Sequence, residues 1–81
     1  MITIHDYLNT HLKQHWNKTR LQTLAGSPFL QDIDKELDSL VNKPFTLKQL
    51  DDGYKEAKNI ENIKEVEDIV AAFIFNMSNP V

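Results

Sequence analysis

The chain has no cysteine, only two glycines and only three prolines in 81 residues, and each scarcity closes a route. Without cysteine there is no disulfide framework, no thiolate cage for a metal and no thiol nucleophile. Two isolated glycines, Gly26 and Gly53, do not make a glycine-rich phosphate loop. No apolar run approaches the roughly 20 residues that cross a bilayer. The first residues, Met1-Ile2-Thr3-Ile4-His5-Asp6, have neither the basic region nor the uninterrupted apolar stretch of a secretory leader. The expectation is a cytoplasmic protein with no membrane partner. Apolar residues at 41% and charged residues at 26% are the balance of a chain that folds, and its length suits one domain, residues 1–81, around a single modest core.

Strand-like alternation is lacking as well, and what replaces it is the three-to-four-residue spacing of helices. Thr3 followed by Asp6 resembles a capping box, and Ile4, Leu8, Leu12 and Trp16 continue as a stripe, so a first helix is expected over 4–16. Residues 17–26 read as a loop or one helical turn carrying Leu21 and Leu24. Gly26-Ser27-Pro28 then looks like a stop followed by a cap and a first-turn proline. Phe29, Leu30, Ile33, Leu37, Leu40 and Val41 fall on one face of a second helix over 28–41, which Pro44 prevents from continuing. Thr46 and Gln49 make another capping box ahead of Leu47, Leu50, Tyr54 and Ala57, which predicts a helix over 46–58 with Gly53 weakening its middle. A last helix over 62–76 places Ile63, Val66, Ile69, Val70, Phe73 and Ile74 on one broad side. Four helices with short connections predict an all-α, four-helix bundle.

Charge is low in total, −3, but unevenly placed. Residues 1–31 carry Lys13, Lys18 and Arg20 against Asp6, whereas residues 32–81 carry six lysines against eleven acids, a balance of +2 against −5. Asp34, Asp38, Asp51, Asp52 and Glu56 are the acids in the second group that best suit a surface for a basic partner. Two aromatic residues are candidate anchors beside them. Phe75 lies off the stripe of the last helix, and with Trp16, Met77 and Val81 it either covers an end of the bundle or forms an apolar patch for a partner or a second copy of the chain.

Motifs for chemistry are incomplete. His11 and His15 have the four-residue spacing that can share a metal on a helix, but no glutamate follows His11, and the projection puts His15 in the stripe, where it packs at the core edge. Asp32, Asp34, Glu36 and Asp38 alternate like a calcium loop without its glycine. No metal and no catalytic residue is expected. The stretch 46–70 has the outline of a helix-turn-helix, yet Glu65, Glu67 and Asp68 against Lys64 would repel DNA phosphates, so nucleic acid is not the expected partner.

Asp38-Ser39-Leu40, together with Phe29-Leu30-Gln31-Asp32-Ile33 and Ile63-Lys64-Glu65-Val66-Glu67-Asp68-Ile69-Val70, resembles acyl carrier proteins over about half of the chain. That resemblance implies an acidic helical carrier in which Ser39 receives a phosphopantetheine arm. In that family the serine opens a long helix, whereas the spacing here puts Ser39 late in one. The reading favoured by the residues as a whole is a non-enzymatic binding module, an inhibitor, immunity protein or adaptor that occupies a basic surface of another protein and uses no cofactor. The carrier is the alternative, and a DNA-binding regulator the weaker one.

Overall fold

The computed structural model describes residues 1–27, 29 and 37–78. Within them the chain is all-α: α1 (Ile4–Leu12), α2 (Lys18–Gln22) running into a 3-10 turn (Thr23–Gly26), α3 (Leu37–Asn42), α4 (Leu47–Lys58) and α5 (Val66–Ser78). Four long helices are therefore not what the described residues form. Of the helix expected over 28–41, the portion from Leu37 is helical, and residues 28 and 30–36 lie outside the described residues. No described helix is long and apolar enough to cross a membrane.

The first helix ends four residues earlier than its stripe predicts. Thr3 caps its start by accepting from the Asp6 amide at 3.4 Å, but Lys13 takes a left-handed conformation at φ 55° and stops it. The Asn9 side-chain oxygen then accepts from the Trp16 backbone amide, which turns the chain back toward α1. Trp16 enters the core from this turn and not from a helical face, and it is only 1% exposed. His15, expected at the core edge, is exposed for the same reason, because the stripe it belonged to no longer exists beyond Leu12. Asn17 caps α2 by accepting from the Arg20 amide at 2.8 Å, and Leu21 and Leu24 go inward. Arg20 closes the region from outside. Its guanidinium lies 3.9 Å from the Trp16 ring centroid, donates to the His15 carbonyl at 2.9 Å and reaches Glu67 of α5 at 4.0 Å.

α4 begins as its sequence requires. The Thr46 side chain accepts from the Gln49 amide while the Gln49 side chain accepts from the Thr46 amide, so both halves of the capping box are made. Ahead of it an isolated antiparallel bridge, Ile2 to Phe45, exchanges two backbone hydrogen bonds of 3.0 and 2.8 Å and pins the N-terminal residues beside the start of α4.

α5 starts at Val66, four residues later than expected, because Asn62 is left-handed at φ 71° and belongs to the preceding turn. Val70, Ala71, Ala72, Phe73 and Ile74 are all fully buried, and five consecutive buried residues go all the way round a helix. α5 is thus the centre of the fold, and its two alanines let neighbouring elements approach it closely. Every buried residue among those described is apolar, apart from the hydroxyls of Tyr7 and Tyr54, the indole N–H of Trp16 and the backbone of Gly53.

Candidate functional site

The acids and aromatics singled out in the sequence separate in the structure. Asp51, Asp52 and Glu56 are exposed on α4. Asp34 lies outside the described residues, and Asp38 is described only through its backbone in α3. Phe75 is 46% exposed on α5. Trp16 is corrected: with its ring enclosed in the core under Arg20, it offers no face to a partner. Ser39 is exposed on α3.

The twist of α4 deals its acids to two sides. Leu50, Gly53, Tyr54 and Ala57 face inward. At 100° per residue Asp52 and Glu56 then fall on the flank toward the end of α5, and Asp51 falls on the flank toward α1.

On the α5 side, Asp52 and Glu56 line a groove of about 550 Å³ together with Phe45, Gly53 and Met77. Gly53 is what lets the helices close up here, since a Cβ at that position would stand 2.7 Å from Met77 Sδ and 3.4 Å from the Phe73 ring. The Asn76 side chain donates to the Gly53 carbonyl at 3.2 Å and fixes the approach. The carboxylates of Asp52 and Glu56 have no hydrogen-bond or ion-pair partner among the described residues. Lys43, also at this groove, has its ammonium 5.5 Å from the Phe45 ring centroid.

On the α1 side, Tyr7, His11, Tyr54 and Asp51 converge. The Tyr7 hydroxyl donates to Asp51 Oδ1 at 2.7 Å across 44 residues of sequence. His11 stacks on the Tyr7 ring at 5.2 Å with planes 8° apart and meets Tyr54 edge-on at 4.8 Å. Behind them Phe73 of α5 touches both tyrosines, with centroids 5.6 Å away in each case. Burial above all, then the hydrogen bond to Asp51 and its negative charge, pushes the Tyr7 hydroxyl far above its ordinary range, and burial raises Tyr54 too. Both phenols are therefore held neutral and are poor proton acceptors or nucleophiles near neutral pH.

Among the described residues no three His, Asp or Glu side chains are grouped to hold a metal ion, and the helical spacing of His11 and His15 is lost where α1 ends. The helix that would read DNA in a helix-turn-helix is α5, whose middle is enclosed by the rest of the fold. The Asp52 and Glu56 flank was legible as acids at helical spacing. The Tyr7, His11 and Asp51 cluster was not, although Tyr7 and His11 four apart, and Leu47, Asp51, Tyr54 and Lys58 at helical spacing, are its trace in the sequence. No family model, curated protein or solved structure matches the chain.

Proposed function

We propose that the chain is a non-enzymatic protein-binding module of the cytoplasm, and that the groove between α4 and α5 receives a basic, partly apolar segment of a partner protein. The carrying observation is the groove itself: Asp52 and Glu56 stand on it unpaired, over a surface of Phe45, Gly53 and Met77. Unpaired carboxylates at a rim speed encounter with a cationic partner and select against acidic ones, while apolar contact beneath them holds the complex. Phe75, also exposed on α5, lies on another side of the helix and does not line this groove. A small inhibitor, immunity protein or adaptor acts in this way, by occupying a surface and not by turning over a substrate.

The test is selection of a displayed peptide library on the folded protein. Enriched peptides are expected to interleave Lys or Arg with apolar residues and to lose at least ten-fold in affinity against the Asp52→Lys/Glu56→Lys variant, whose stability should stay within about 0.5 kcal/mol of the parent because both sites are exposed. Peptides without basic residues, or equal binding to the variant, would sink the proposal.

The exposure of Ser39 favours one second reading, the carrier. In it the Ser39 hydroxyl oxygen bonds to the phosphorus of coenzyme A's phosphopantetheine, with loss of the hydroxyl proton and release of adenosine bisphosphate. Incubation with coenzyme A and a phosphopantetheinyl transferase should then raise the mass of the parent and not of Ser39→Ala. An unchanged mass ends that reading.

A further inference from the structure

The cleft between α1 and α4 is organised by charge along its length. Asp6 and Asp51 stand at one end with the apolar side chains of Ile2 and Leu47, the latter 59% exposed. Lys55, Lys58 and Asn59 stand at the other. Tyr7, His11 and Asp51 belong to both ends and join them into one cleft. Neither lysine makes an ion pair with Asp51, and Lys58 instead has its ammonium 5.8 Å from the Tyr54 ring centroid.

We propose that this cleft is an arginine subsite, in which the guanidinium of a partner's arginine pairs with Asp51 beside the stacked His11 and Tyr7 rings, and an anionic group on the same segment lies toward Lys55 and Lys58. Three features single out arginine. The Tyr7 hydroxyl holds Asp51 Oδ1 at 2.7 Å, and Oδ2 has no hydrogen-bond partner among the described residues. A planar guanidinium matches a fixed carboxylate and lies flat on ring faces, which an ammonium does not. His11, exposed, stacked parallel to Tyr7 and lining the cleft with Asp51, is the ring available for such a contact. The polarity follows from α4, where Lys55 comes one helical turn after Asp51 and Lys58 nearly two. An arginine with a carboxylate on its own backbone therefore spans from acid to base, whereas a purely cationic ligand meets repulsion at the far end.

The inference rests on the module reading only in supplying the arginine from a protein, and small probes read the cleft by itself. The experiment is a backbone-amide NMR titration of the full chain with three compounds: N-acetyl-arginine, its amide, which keeps the guanidinium and lacks the carboxylate, and N-acetyl-lysine. N-acetyl-arginine is expected to shift Tyr7, His11, Asp51 and their neighbours saturably, binding at least three-fold more tightly than the amide and five-fold more tightly than the lysine compound. Asp51→Asn, which keeps an oxygen for Tyr7 and removes the charge, should abolish saturation. Lys55→Glu/Lys58→Glu should erase the advantage of N-acetyl-arginine over its amide while leaving the amide bound. Equal shifts with the lysine compound, or shifts spread over Asp52 and Glu56 as much as Asp51, would overturn the subsite and leave the α4–α5 groove standing. A protein that ignores all three probes overturns it as well.

Discussion

α4 turns Leu50, Gly53, Tyr54 and Ala57 inward and leaves Leu47, Lys48, Asp51, Asp52, Lys55 and Glu56 in solvent, whereas α5, one residue longer, buries five residues in a row. The two helices lie side by side and share Gly53, Phe73 and Met77 at their contact. α4 is amphipathic and held at its start by a complete capping box. α5 has only Val66, Glu67 and Phe75 well exposed within the helix and relies on its surroundings to satisfy its apolar surface. On the proposed reading, stability and recognition fall to neighbouring helices, and substitutions in one should have effects of a different kind from substitutions in the other.

The sharpest way to break that division is to empty the centre of α5. Phe73→Ala removes a fully buried ring that touches Tyr7 and Tyr54, and a cavity of that kind costs roughly 3–5 kcal/mol. Since a domain of this size has only about 4–12 kcal/mol in total, the variant is expected to lose a large part of its stability, read as a lower midpoint in urea. The α4 pair Asp52→Lys/Glu56→Lys serves as the contrast, with binding altered and the midpoint kept. Similar midpoints for both variants would mean that α5 is not the structural centre.

Alkaline titration probes the contact where the two roles meet. Tyr7 and Tyr54 are both held above their ordinary pKa of about 10, so the folded state prefers the neutral phenols. Their contribution to stability is full below pH 10 and is lost progressively as pH rises above it. The urea midpoint should fall above pH 10, and Tyr7→Phe should flatten part of the fall relative to the parent. Asp51→Asn should flatten less, because burial is a larger cause of the Tyr7 shift than the carboxylate is. An unchanged pH profile in Tyr7→Phe would show that the phenol is as well solvated in the folded protein as in the unfolded one.

The same two helices show how far the sequence could be read. Thr46, Gln49 and Pro44 mark the start of α4 with local hydrogen-bonding and steric rules, so the start of that helix was legible. α5 was legible as a helix and misjudged in its role. Ala71 and Ala72 lie off its apolar stripe and carry little hydrophobic weight, yet they are buried because neighbours close on them, a fact of tertiary packing. The end of α1 was hidden for a similar reason. Lysine is a poor signal for a left-handed residue, and what holds the turn at Lys13 is a contact between Asn9 and Trp16 across the break. That contact took Trp16 out of the candidate surface. In the same way the Tyr7 to Asp51 hydrogen bond joins residues 44 apart, and no local pattern announces it.

The smallest expected effect comes from Gly53, where helix propensity and packing oppose each other. Alanine in a helix interior gains roughly 0.5–1 kcal/mol over glycine. Against this, the added Cβ meets Met77 Sδ at 2.7 Å and the Phe73 ring at 3.4 Å. The second distance is an ordinary contact. The first is too short to persist, but it falls near the end of an unbranched side chain in the last turn of α5, which can rotate aside without moving the backbone. The net change in stability for Gly53→Ala is therefore expected to lie within about 1 kcal/mol of zero. The groove should respond more strongly, because Met77, which lines it, has to leave its place over Gly53. Peptides selected on the parent should bind Gly53→Ala several-fold more weakly while the urea midpoint barely moves. A loss above about 2 kcal/mol would instead mean that Met77 is locked in the packing between the helices, and the floor of the groove would then belong to the core and not to the docking surface.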